Sequence, residues 1–530
     1  MFWFFTMFSI ALMMAITANS LLDEPLNTQF EVRSAVSFEV DTPKITYFRG
    51  SLSSDEPLKN VRVVDEKGEV IKQFLAQGEK ECEIYWFATK ASQYQLQISP
   101  FDDHASNVSL NLATLPLKED QRVSPSLPLL SPLLSETQNK IKSGIKNAEE
   151  NFWQQVEKQG TPLVEPAGEK TRLLTFLWRG DESNVRLLGA PYEGHAHLAR
   201  LPNSAIWYKS YVVSDKTILS YRLAPNVPQL VVEEKPDRRM EQRRAVLATV
   251  QPDPLNRQPL FAENDGRFGA ASTITLPQAP SDVVTRDVGN PRGTISHEIY
   301  HSVQLDNERR ISFYLPNKRY NLTPESPLLI LFDGDAYLDR VPTPIVLDNL
   351  IAQQKIPPLR AVFINNPLPS LRAQELTPNE TFADFMAHEF KPYLCKEHRI
   401  CPSAQDTILS GSSFGGLASM AIAFRYPEVF GTVLSQSGSF WWREENSNNQ
   451  WMIEQITRSS RKDISIYLNA GAFEKVSDER GILETNHRLF EELQRKGYPV
   501  IFQTFSSGHD YFAWRIGLAH GLTQLFTSKP

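Results

Sequence analysis

Several features that direct a protein towards a particular class of function are scarce in this sequence. Three cysteines in 530 residues allow one disulfide at most. Lys and Arg number 55 against 62 Asp and Glu, and they form no basic block of the kind that follows a nucleic-acid backbone. Beyond the N-terminus, no apolar run reaches the ~18 to 20 residues that a membrane span needs. We therefore expect neither a nucleic-acid partner nor a stable membrane span in the mature chain.

Length and composition indicate a folded protein of several domains. A chain of 530 residues exceeds what one compact domain usually holds, so we expect about two to four domains. The 36 prolines outnumber the 25 glycines, and aromatic residues make up 10% of the chain. This composition favours a strand-rich and loop-rich fold over disorder or a long coiled coil.

The N-terminus has the composition of an export signal. Residues 1–16 are apolar, no charged side chain occurs before Asp23, and residues 18–20 offer the small side chains of a cleavage site. We predict a signal peptide over residues 1–20 and a mature protein that is exported, to the periplasm or beyond the cell. No basic residue precedes the apolar stretch, which leaves an uncleaved anchor open as the alternative.

The cysteines are consistent with such a location. A disulfide persists in an oxidising compartment, and Cys395 and Cys401 are close enough along the chain to close a short loop. Cys82 would then stay alone. Two reduced, buried thiols are an equally good interpretation of the sequence.

The pattern of apolar residues divides the chain into modules. Period-two alternation, as at 36–40 and 206–213, predicts two β-sandwich-like domains, and a proline-punctuated linker between them leads into a helix over 135–159. After residue 280 strands alternate with helices, which predicts a mostly parallel sheet with flanking helices. The predicted strands of this sheet are 311–315, 328–332, 361–364, 407–410, 464–468 and 500–505.

The predicted boundaries are 21–115 for a small accessory β domain, 116–149 for the linker and helix, 150–280 for the second β domain and 281–530 for the α/β domain.

The strongest local motif is the sequence GSSFGG at residues 411–416, which fits G-x-S-x-G. An apolar strand precedes it and a helical stretch over 417–424 follows, which is the context that the motif requires in an α/β-hydrolase. A serine on such a turn stands above the sheet at a helix N-terminus. We therefore predict that Ser413 is a nucleophile. A glycine-rich turn with a solvated serine is the alternative.

A serine nucleophile needs a base, and on this fold the chain order is serine, acid, histidine. His509 follows the strand predicted over 500–505 and is the expected base. His487 and His520, the other histidines after the nucleophile, fall in helical stretches and are expected to be surface or packing residues.

The sequence does not decide which carboxylate is the acid of the triad. Glu474 lies just beyond the strand predicted over 464–468, where the third member of a triad belongs, and it is the first candidate. Asp478 is the second candidate and Glu484 the third. A serine–histidine dyad without a carboxylate is a further alternative.

An oxyanion hole on this fold combines two backbone amides. The first is that of the residue after the nucleophile, Phe414. The second comes from the loop after an earlier strand, for which residues 332–337 are the candidate, with the amide of Gly334 or Asp335 facing the substrate. The alternative is that this loop is a plain turn.

A competing motif, HEIYH at residues 297–301, matches the zinc-binding pattern H-E-x-x-H. That pattern binds zinc when it lies on a helix. Here the segment is rich in β-branched and aromatic residues and follows Pro291 and Gly293, so an edge hairpin is the better prediction. We expect no metal at His297 and His301, and no other cofactor.

Together these features resemble the enterochelin (ferric enterobactin) esterases within the esterase-D-like α/β-hydrolases. The resemblance covers about residues 150–530. The similar segments are 152–154, 160–163, 176–180, 184–189, 206–211 and 253–256 in the region of that family's own N-terminal domain, and 333–337, 372–376, 411–416, 435–442, 470–474 and 508–510 in the catalytic region.

The resemblance implies a serine esterase that hydrolyses a catecholate siderophore, an enterobactin-like trilactone, for iron release. The nucleophile, base and first acid candidate above would form its triad. Arg372, Tyr337 and Trp442 would line the substrate pocket, because arginine and aromatic side chains suit a large polyanion with flat rings. A surface ion pair for Arg372 and core packing for Trp442 are the alternatives.

Two features depart from that family. The export-like N-terminus is unusual in it, and residues 30–115 have no counterpart there. These departures leave two other functions open. One is an esterase or acyltransferase that acts on a different envelope or carbohydrate-linked ester, and the other is a siderophore-binding protein without catalysis.

Overall fold

The computed structural model describes residues 13–17, 24–75, 78–101, 105–189, 191, 195–231, 238–260, 269–447, 450–475 and 481–527. The predicted cleavage site at 18–20 lies outside these residues, as does most of the predicted signal peptide. Strand β1 (Met13–Thr17) pairs in parallel with the strand Val36–Thr42. Among the helices of the described residues, none has the length and apolar character of a membrane-crossing segment.

The N-terminal module consists of β-strands in two sheets. Its further strands are β2 (Leu26–Val32), β3 (Val36–Thr42), β4 (Thr46–Ser54), β5 (Leu58–Asp65), β6 (Val70–Gln73), β7 (Glu81–Ala88), β8 (Ser92–Pro100) and β9 (Ser106–Leu115). One sheet has the order β1-β3-β8-β5-β6 and the other β2-β9-β4-β7. Alternate residues of β3 and β9 are buried, so the two sheets share one apolar core, in which Phe48 and Trp86 stack at 3.9 Å.

Two helices follow, where the sequence predicts one helix over 135–159. They are α1 (Pro132–Lys142) and α2 (Ala148–Gln159). The break between them contains Gly144 and Asn147 at φ of 70° and 60°, a left-handed backbone conformation that a continuous helix cannot contain. The prediction of one helix was therefore wrong.

The second β module also has two sheets. Its strands are β10 (Leu163–Pro166), β11 (Thr171–Arg179), β12 (Val185–Leu188), β13 (Ala196–His197), β14 (Ala199–Arg200), β15 (Ile206–Ser214), β16 (Ile218–Pro225), β17 (Pro259–Leu260) and β18 (Ala271–Thr275). The orders are β10-β11-β15-β14 and β13-β12-β16-β18-β17. Between β16 and β17 the chain forms helix α3 (Arg238–Thr249), which the sequence pattern does not predict because the first turns are strongly polar and lack an apolar stripe.

The C-terminal module is built on one sheet of eight strands. They are β19 (Thr294–Ser302), β20 (Asn307–Leu315), β21 (Leu328–Phe332), β22 (Arg360–Ile364), β23 (Thr407–Ser412), β24 (Thr432–Gln436), β25 (Ser465–Gly471) and β26 (Val500–Phe505). Their order is β19-β20-β22-β21-β23-β24-β25-β26, and the strands from β22 to β26 pair in parallel. Apolar clusters cover both faces.

Helices surround this sheet. They are α4 (Gly334–Asp339), α5 (Thr343–Ala352), α6 (Leu371–Leu376), α7 (Glu380–Asp384), α8 (Lys391–His398), α9 (Phe414–Arg425), α10 (Trp451–Arg458), α11 (Ile482–Arg495) and α12 (Tyr511–Thr527). The predicted fold class, two β modules before an α/β-hydrolase module, is confirmed. Each of the six predicted strands of the sheet is present, and β24 is an additional one.

The edge of the sheet explains the H-E-x-x-H segment. His297 and His301 lie in β19, an edge strand that pairs antiparallel with β20, so the prediction of a hairpin is confirmed. Nδ1 of His297 lies 2.7 Å from Oγ of Ser312, and Nδ1 of His301 lies 2.9 Å from a carboxylate oxygen of Glu308.

Of the two interpretations of the cysteines, the structure agrees with the one that pairs Cys395 with Cys401. Cys395 and Cys401 are joined by a disulfide at the end of α8, and Cys82 is a free, half-buried thiol in β7.

A buried ion pair attaches α6 to the sheet. Arg309 in β20 has no exposed side-chain surface and donates from both terminal nitrogens to the Glu375 carboxylate, at 2.9 and 3.2 Å. Its guanidinium also lies within 5.5 Å of the ring centres of Phe382 and Phe385. Nη2 of Arg309 also donates to Oδ1 of Asn307 at 3.0 Å, but the Glu375 carboxylate is the negative charge that compensates this buried guanidinium.

We expect E375Q to lower the free energy of unfolding by about 3–5 kcal/mol, because the buried guanidinium loses its compensating charge. The control is E380Q, since the Glu380 side chain is 80% exposed and pairs with Arg425, so that it should change stability by about 0.5 kcal/mol or less. Urea unfolding followed by tryptophan fluorescence measures both. Equal losses in the two variants would contradict the role of the buried pair.

Candidate active site

Ser413 lies on a sharp turn between β23 and α9. Its φ of 58° and ψ of −119° are unusual for a residue with a side chain, and such strain is typical of functional turns. The Ser413 amide donates to the Gln436 carbonyl at 3.0 Å, and the Ser413 carbonyl accepts from the Ser439 amide at 3.0 Å. These bonds hold the strained turn against β24. The Ser413 hydroxyl lies 3.2 Å from that of Ser439.

The glycines of the motif permit this close packing. A Cβ at Gly411 would lie 2.7 Å from the backbone of Gly415, and one at Gly416 would lie 2.5 Å from Oγ of Ser435. Both distances are shorter than carbon atoms tolerate. The strand, turn and helix can approach as closely as they do only because these side chains are absent.

His509 and Glu474 meet beside this turn. Nδ1 of His509 donates to Oε1 of Glu474, which leaves Nε2 with its lone pair in the neutral ring. The Glu474 side chain is 1% exposed, whereas that of His509 is 38% exposed. The carboxylate is thus buried behind the imidazole, and the imidazole faces the solvent-accessible side.

Two further groups compensate the buried carboxylate. Oε2 of Glu474 accepts from the Gly471 amide at 2.5 Å and from the Ser437 hydroxyl at 2.8 Å. Nε1 of Trp514 donates to the same Ser437 hydroxyl at 3.0 Å, and the Trp514 ring packs edge-on against the imidazole with centroids 4.8 Å apart. The orientation of the imidazole is therefore fixed by a chain of hydrogen bonds and by packing. Asp478, the second acid candidate, lies outside the described residues.

The second β module holds the segment that carries His509. The Ile218 amide of β16 donates to the Ser506 carbonyl at 3.0 Å, and the Ser220 amide donates to the Asp510 carboxylate at 3.3 Å. Asp510 also accepts from the Ala513 amide at 3.0 Å at the start of α12, and burial raises the pKa of its carboxyl group to about 6.

The same module also contacts the segment of the acid. Phe473, directly before Glu474, is buried in the apolar core of the second β module. Both partners of the imidazole–carboxylate pair are therefore positioned by contacts between modules.

The predicted oxyanion amides have different surroundings. Phe414 begins α9, where the first amides of a helix have no partner within the helix. Gly334 begins α4 at the end of β21, the strand next to β23. The Asp335 amide donates to Oδ1 of Asn365 at 2.8 Å, so it is already engaged, and of the two alternatives Gly334 is the one to retain.

A cavity of about 440 Å³ opens at Ser413 and His509. Among the residues that the structure describes, four arginines line it: Arg222, Arg243, Arg340 and Arg372. The first two come from the second β module, from β16 and α3, and the last two come from the C-terminal module. Only Arg372 was predicted from the sequence. Nε and Nη2 of Arg372 donate to the two carboxylate oxygens of Asp333, at 2.5 and 2.7 Å. The Arg372 guanidinium also lies 5.8 Å from the centroid of the Phe414 ring.

Two residues predicted to line the pocket, Tyr337 and Trp442, are not among the residues that line this cavity. Tyr337 is completely buried in the core, and its hydroxyl accepts from Nε2 of Gln436 at 2.8 Å. Trp442 packs edge-on against Trp451, with ring centroids 6.2 Å apart, on the core side of the loop after β24. The prediction for Tyr337 was therefore wrong, whereas that for Trp442, whose side chain is half-buried, stays a prediction. The neighbouring Trp441, which the sequence did not indicate, lies 5.9 Å from the Phe414 ring beside the turn at Ser413.

Comparison with known proteins identifies the family. The model of the enterochelin esterase N-terminal domain matches residues 173–284, and that of the esterase family matches residues 302–525. The iron(III) enterobactin esterase of Dickeya dadantii (strain 3937) is 30% identical over 420 residues, which cover 72% of this chain and 93% of the relative. The iron(III) enterobactin esterase of Escherichia coli (strain K12) is 27% identical over 404 residues, which cover 72% and 98%.

Solved structures give the same result. The ferric enterobactin esterase of Salmonella typhimurium superposes with a TM-score of 0.59 at 26% identity and covers 71% of this chain and 98% of its own. The enterobactin esterase of Shigella flexneri, crystallised in the presence of enterobactin, gives a TM-score of 0.56 at 26% identity with the same coverage. The chain therefore belongs to the enterochelin esterase family and is a carboxylic ester hydrolase.

Proposed function

We propose that this chain hydrolyses the ester bonds of a catecholate siderophore of the enterobactin type, which releases the bound iron. The relatives named above are esterases of iron(III) enterobactin, and the chain matches 93% and 98% of their length. The observation that carries the proposal is the set of four arginines around Ser413 and His509 in one cavity.

Charge and shape both favour such a substrate. A ferric catecholate is an anion with flat aromatic rings. Guanidinium groups pair with oxyanions through two parallel hydrogen bonds and stack on aromatic faces, so they suit both features. A cavity lined by four guanidinium groups is costly for a neutral ester but favourable for a polyanion.

In the proposed mechanism, Nε2 of His509 takes the proton of the Ser413 hydroxyl as the oxygen attacks the ester carbonyl. The amides of Phe414 and Gly334 bind the oxyanion of the tetrahedral intermediate. The imidazolium then gives its proton to the leaving alcohol, and the acyl group stays on Ser413. Water attacks this acyl-enzyme with His509 again as the base, which regenerates the serine and releases the carboxylic acid.

Glu474 has a defined role in this mechanism. Its carboxylate accepts from Nδ1 of His509, which keeps Nε2 free for the serine proton. When the imidazole becomes charged, the buried carboxylate stabilises it.

We further propose that the protein acts outside the cytoplasm. The apolar, uncharged segment at residues 1–16 supports export. The disulfide between Cys395 and Cys401 supports an oxidising compartment.

The experiment that tests this function compares turnover of the ferric and iron-free catecholate trilactone with that of a simple acyl ester, for wild type and S413A. The proposal expects preferred cleavage of the trilactone and loss of both activities in S413A. Cleavage of the simple ester alone would overturn the substrate and favour another ester. Transfer of the acyl group to an added alcohol in place of hydrolysis would indicate an acyltransferase. Tight binding of the ferric trilactone without turnover would indicate a binding protein.

We expect E474Q to lower kcat by about 10⁴-fold, because the amide can stabilise the wrong imidazole tautomer and cannot compensate the imidazolium. D478N and E484Q are the matched controls, since these carboxylates are the other candidates for the acid. Steady-state kinetics with a chromogenic acyl ester measure all three. Retention of activity in E474Q together with its loss in D478N would assign the acid to Asp478.

We expect R243A to raise KM for the ferric trilactone about 10- to 100-fold, as loss of a charge-assisted contact does. Arg243 is exposed in the cavity on α3. R458A, which removes an arginine from the surface of α10, is the control, because its side chain is 72% exposed and pairs with Glu454. An unchanged KM in R243A would contradict the role of the arginines in binding.

A further inference from the structure

The N-terminal module precedes both family matches, which begin at residues 173 and 302, yet it contacts segments that line the cavity at Ser413 and His509, called here the catalytic cavity. The contact is made by β7, the edge strand of its sheet. Successive side chains of a strand point to opposite faces, so the two faces of β7 have different surroundings.

One face of β7 belongs to the core of its own module. Ile84, Trp86 and Ala88 are buried in that core, and Cys82 packs against it. The other face carries Glu81, Glu83, Tyr85 and Phe87. Each of these four contacts a part of the chain that follows the N-terminal module.

Helix α3 is held by this second face. The Glu83 carboxylate accepts three hydrogen bonds of 2.6 to 3.1 Å from Nε and Nη2 of Arg244. Hydrogen bonding from Arg244 lowers the pKa of Glu83, so the pair is charged at neutral pH. Phe87 is buried in a cluster with Ala245 and Val246 of the same helix.

Strand β4 of the same sheet and strand β6 of the other sheet also contact α3. The Tyr47 hydroxyl donates to Glu241 at 3.2 Å, and Arg49 pairs with the same carboxylate at 2.9 Å. Nζ of Lys72, which is almost fully buried, donates to the Leu247 carbonyl at 2.7 Å.

The opposite side of α3 faces the catalytic cavity. Arg243 and Leu247 line that cavity, one helical turn apart, while Glu241, Arg244 and Ala245 contact the N-terminal module. The helix is therefore placed between the module and the cavity. Its position sets where the Arg243 guanidinium lies.

The other end of β7 contacts the start of α6, the helix that carries Arg372. Oε1 of Glu81 accepts from the Ser370 amide at 2.8 Å, two residues before Arg372 at the start of α6. Residues 78–80, which precede β7, line a second cavity of about 520 Å³, and Arg372 and Tyr511 line both this cavity and the catalytic one. One strand of the N-terminal module thus contacts the segments that carry two of the four cavity arginines.

We propose that β7 of the N-terminal module is a specificity element: through Glu83 and Glu81 it positions Arg243 and Arg372 for an anionic substrate. Both glutamates are positioning residues, since neither lines the catalytic cavity. The inference rests on the esterase chemistry of Ser413 and His509, and it does not depend on the siderophore being the substrate.

The test uses two small esters that differ in charge, phenyl acetate and 4-acetoxybenzoate, with the full-length protein. We expect E83A, and more strongly the double variant E81A/E83A, to raise KM for the anionic ester by about three- to tenfold, as loss of a contact that acts through other residues does. We expect kcat, and KM for the neutral ester, to change less than about twofold. The charge-reversed pair E83R/R244E should restore KM for the anionic ester.

The matched control is E66A. Glu66 lies in the same module, and its side chain is 52% exposed against 51% for Glu83, but its partners are Lys90 and Ser92 of the same module. An unchanged KM for the anionic ester in E81A/E83A would overturn the proposal. Equal losses for the neutral and anionic esters would also overturn it, because they would show a general effect on the fold. If wild type cleaves both small esters but not the trilactone, the proposed substrate fails while this inference is still tested.

Discussion

The geometry of the proposed triad depends on the buried carboxylate of Glu474. An ionised carboxylate without partners in a protein interior costs several kcal/mol or more, so its position is tolerated only where hydrogen-bond donors surround it. Here the donors are the Gly471 amide, the Ser437 hydroxyl and Nδ1 of His509. Because three separate segments meet at this carboxylate, the orientation of the imidazole is fixed at the cavity that Ser413 also lines.

The modules meet at this carboxylate and at the cavity beside it. The core of the second β module includes Phe473, and backbone amides of β16 bind the segment around His509. Two cavity arginines come from that module and two from the C-terminal module. The arginines proposed to bind the substrate therefore lie at a boundary between modules, and the N-terminal module contacts the same boundary through α3 and the segment before α6.

The parts of this account that sequence could predict are local. Each of these parts is identified by a pattern of a few consecutive residues: the G-x-S-x-G turn, the strand before His509 and the strand before Glu474. In the turn the glycines are required by close packing, so the motif predicts the structure. The hairpin at residues 297–301 was also predictable from a local pattern, because β-branched residues follow turn residues there.

The parts that sequence could not predict depend on contacts between distant segments. Arg222 and Arg243 have no local signal that separates them from surface arginines, because the cavity exists only once the modules pack. Tyr337 and Trp442 were assigned to the pocket from the resemblance to a family, whereas the packing buries the first and turns the second towards Trp451. Helix α3 was missed because its first turns are polar and lack an apolar stripe, and its contacts with the N-terminal module have no local signal.

The most direct test of the central claim is to identify the residue that attacks an electrophile. The protein would be treated with a fluorophosphonate, which forms a stable adduct with an activated serine, and the modified peptide would be mapped by mass spectrometry. We expect one adduct, on Ser413, that appears together with loss of esterase activity and is absent from S413A. Loss of activity with the adduct on Ser412, Ser439 or any other residue would contradict it.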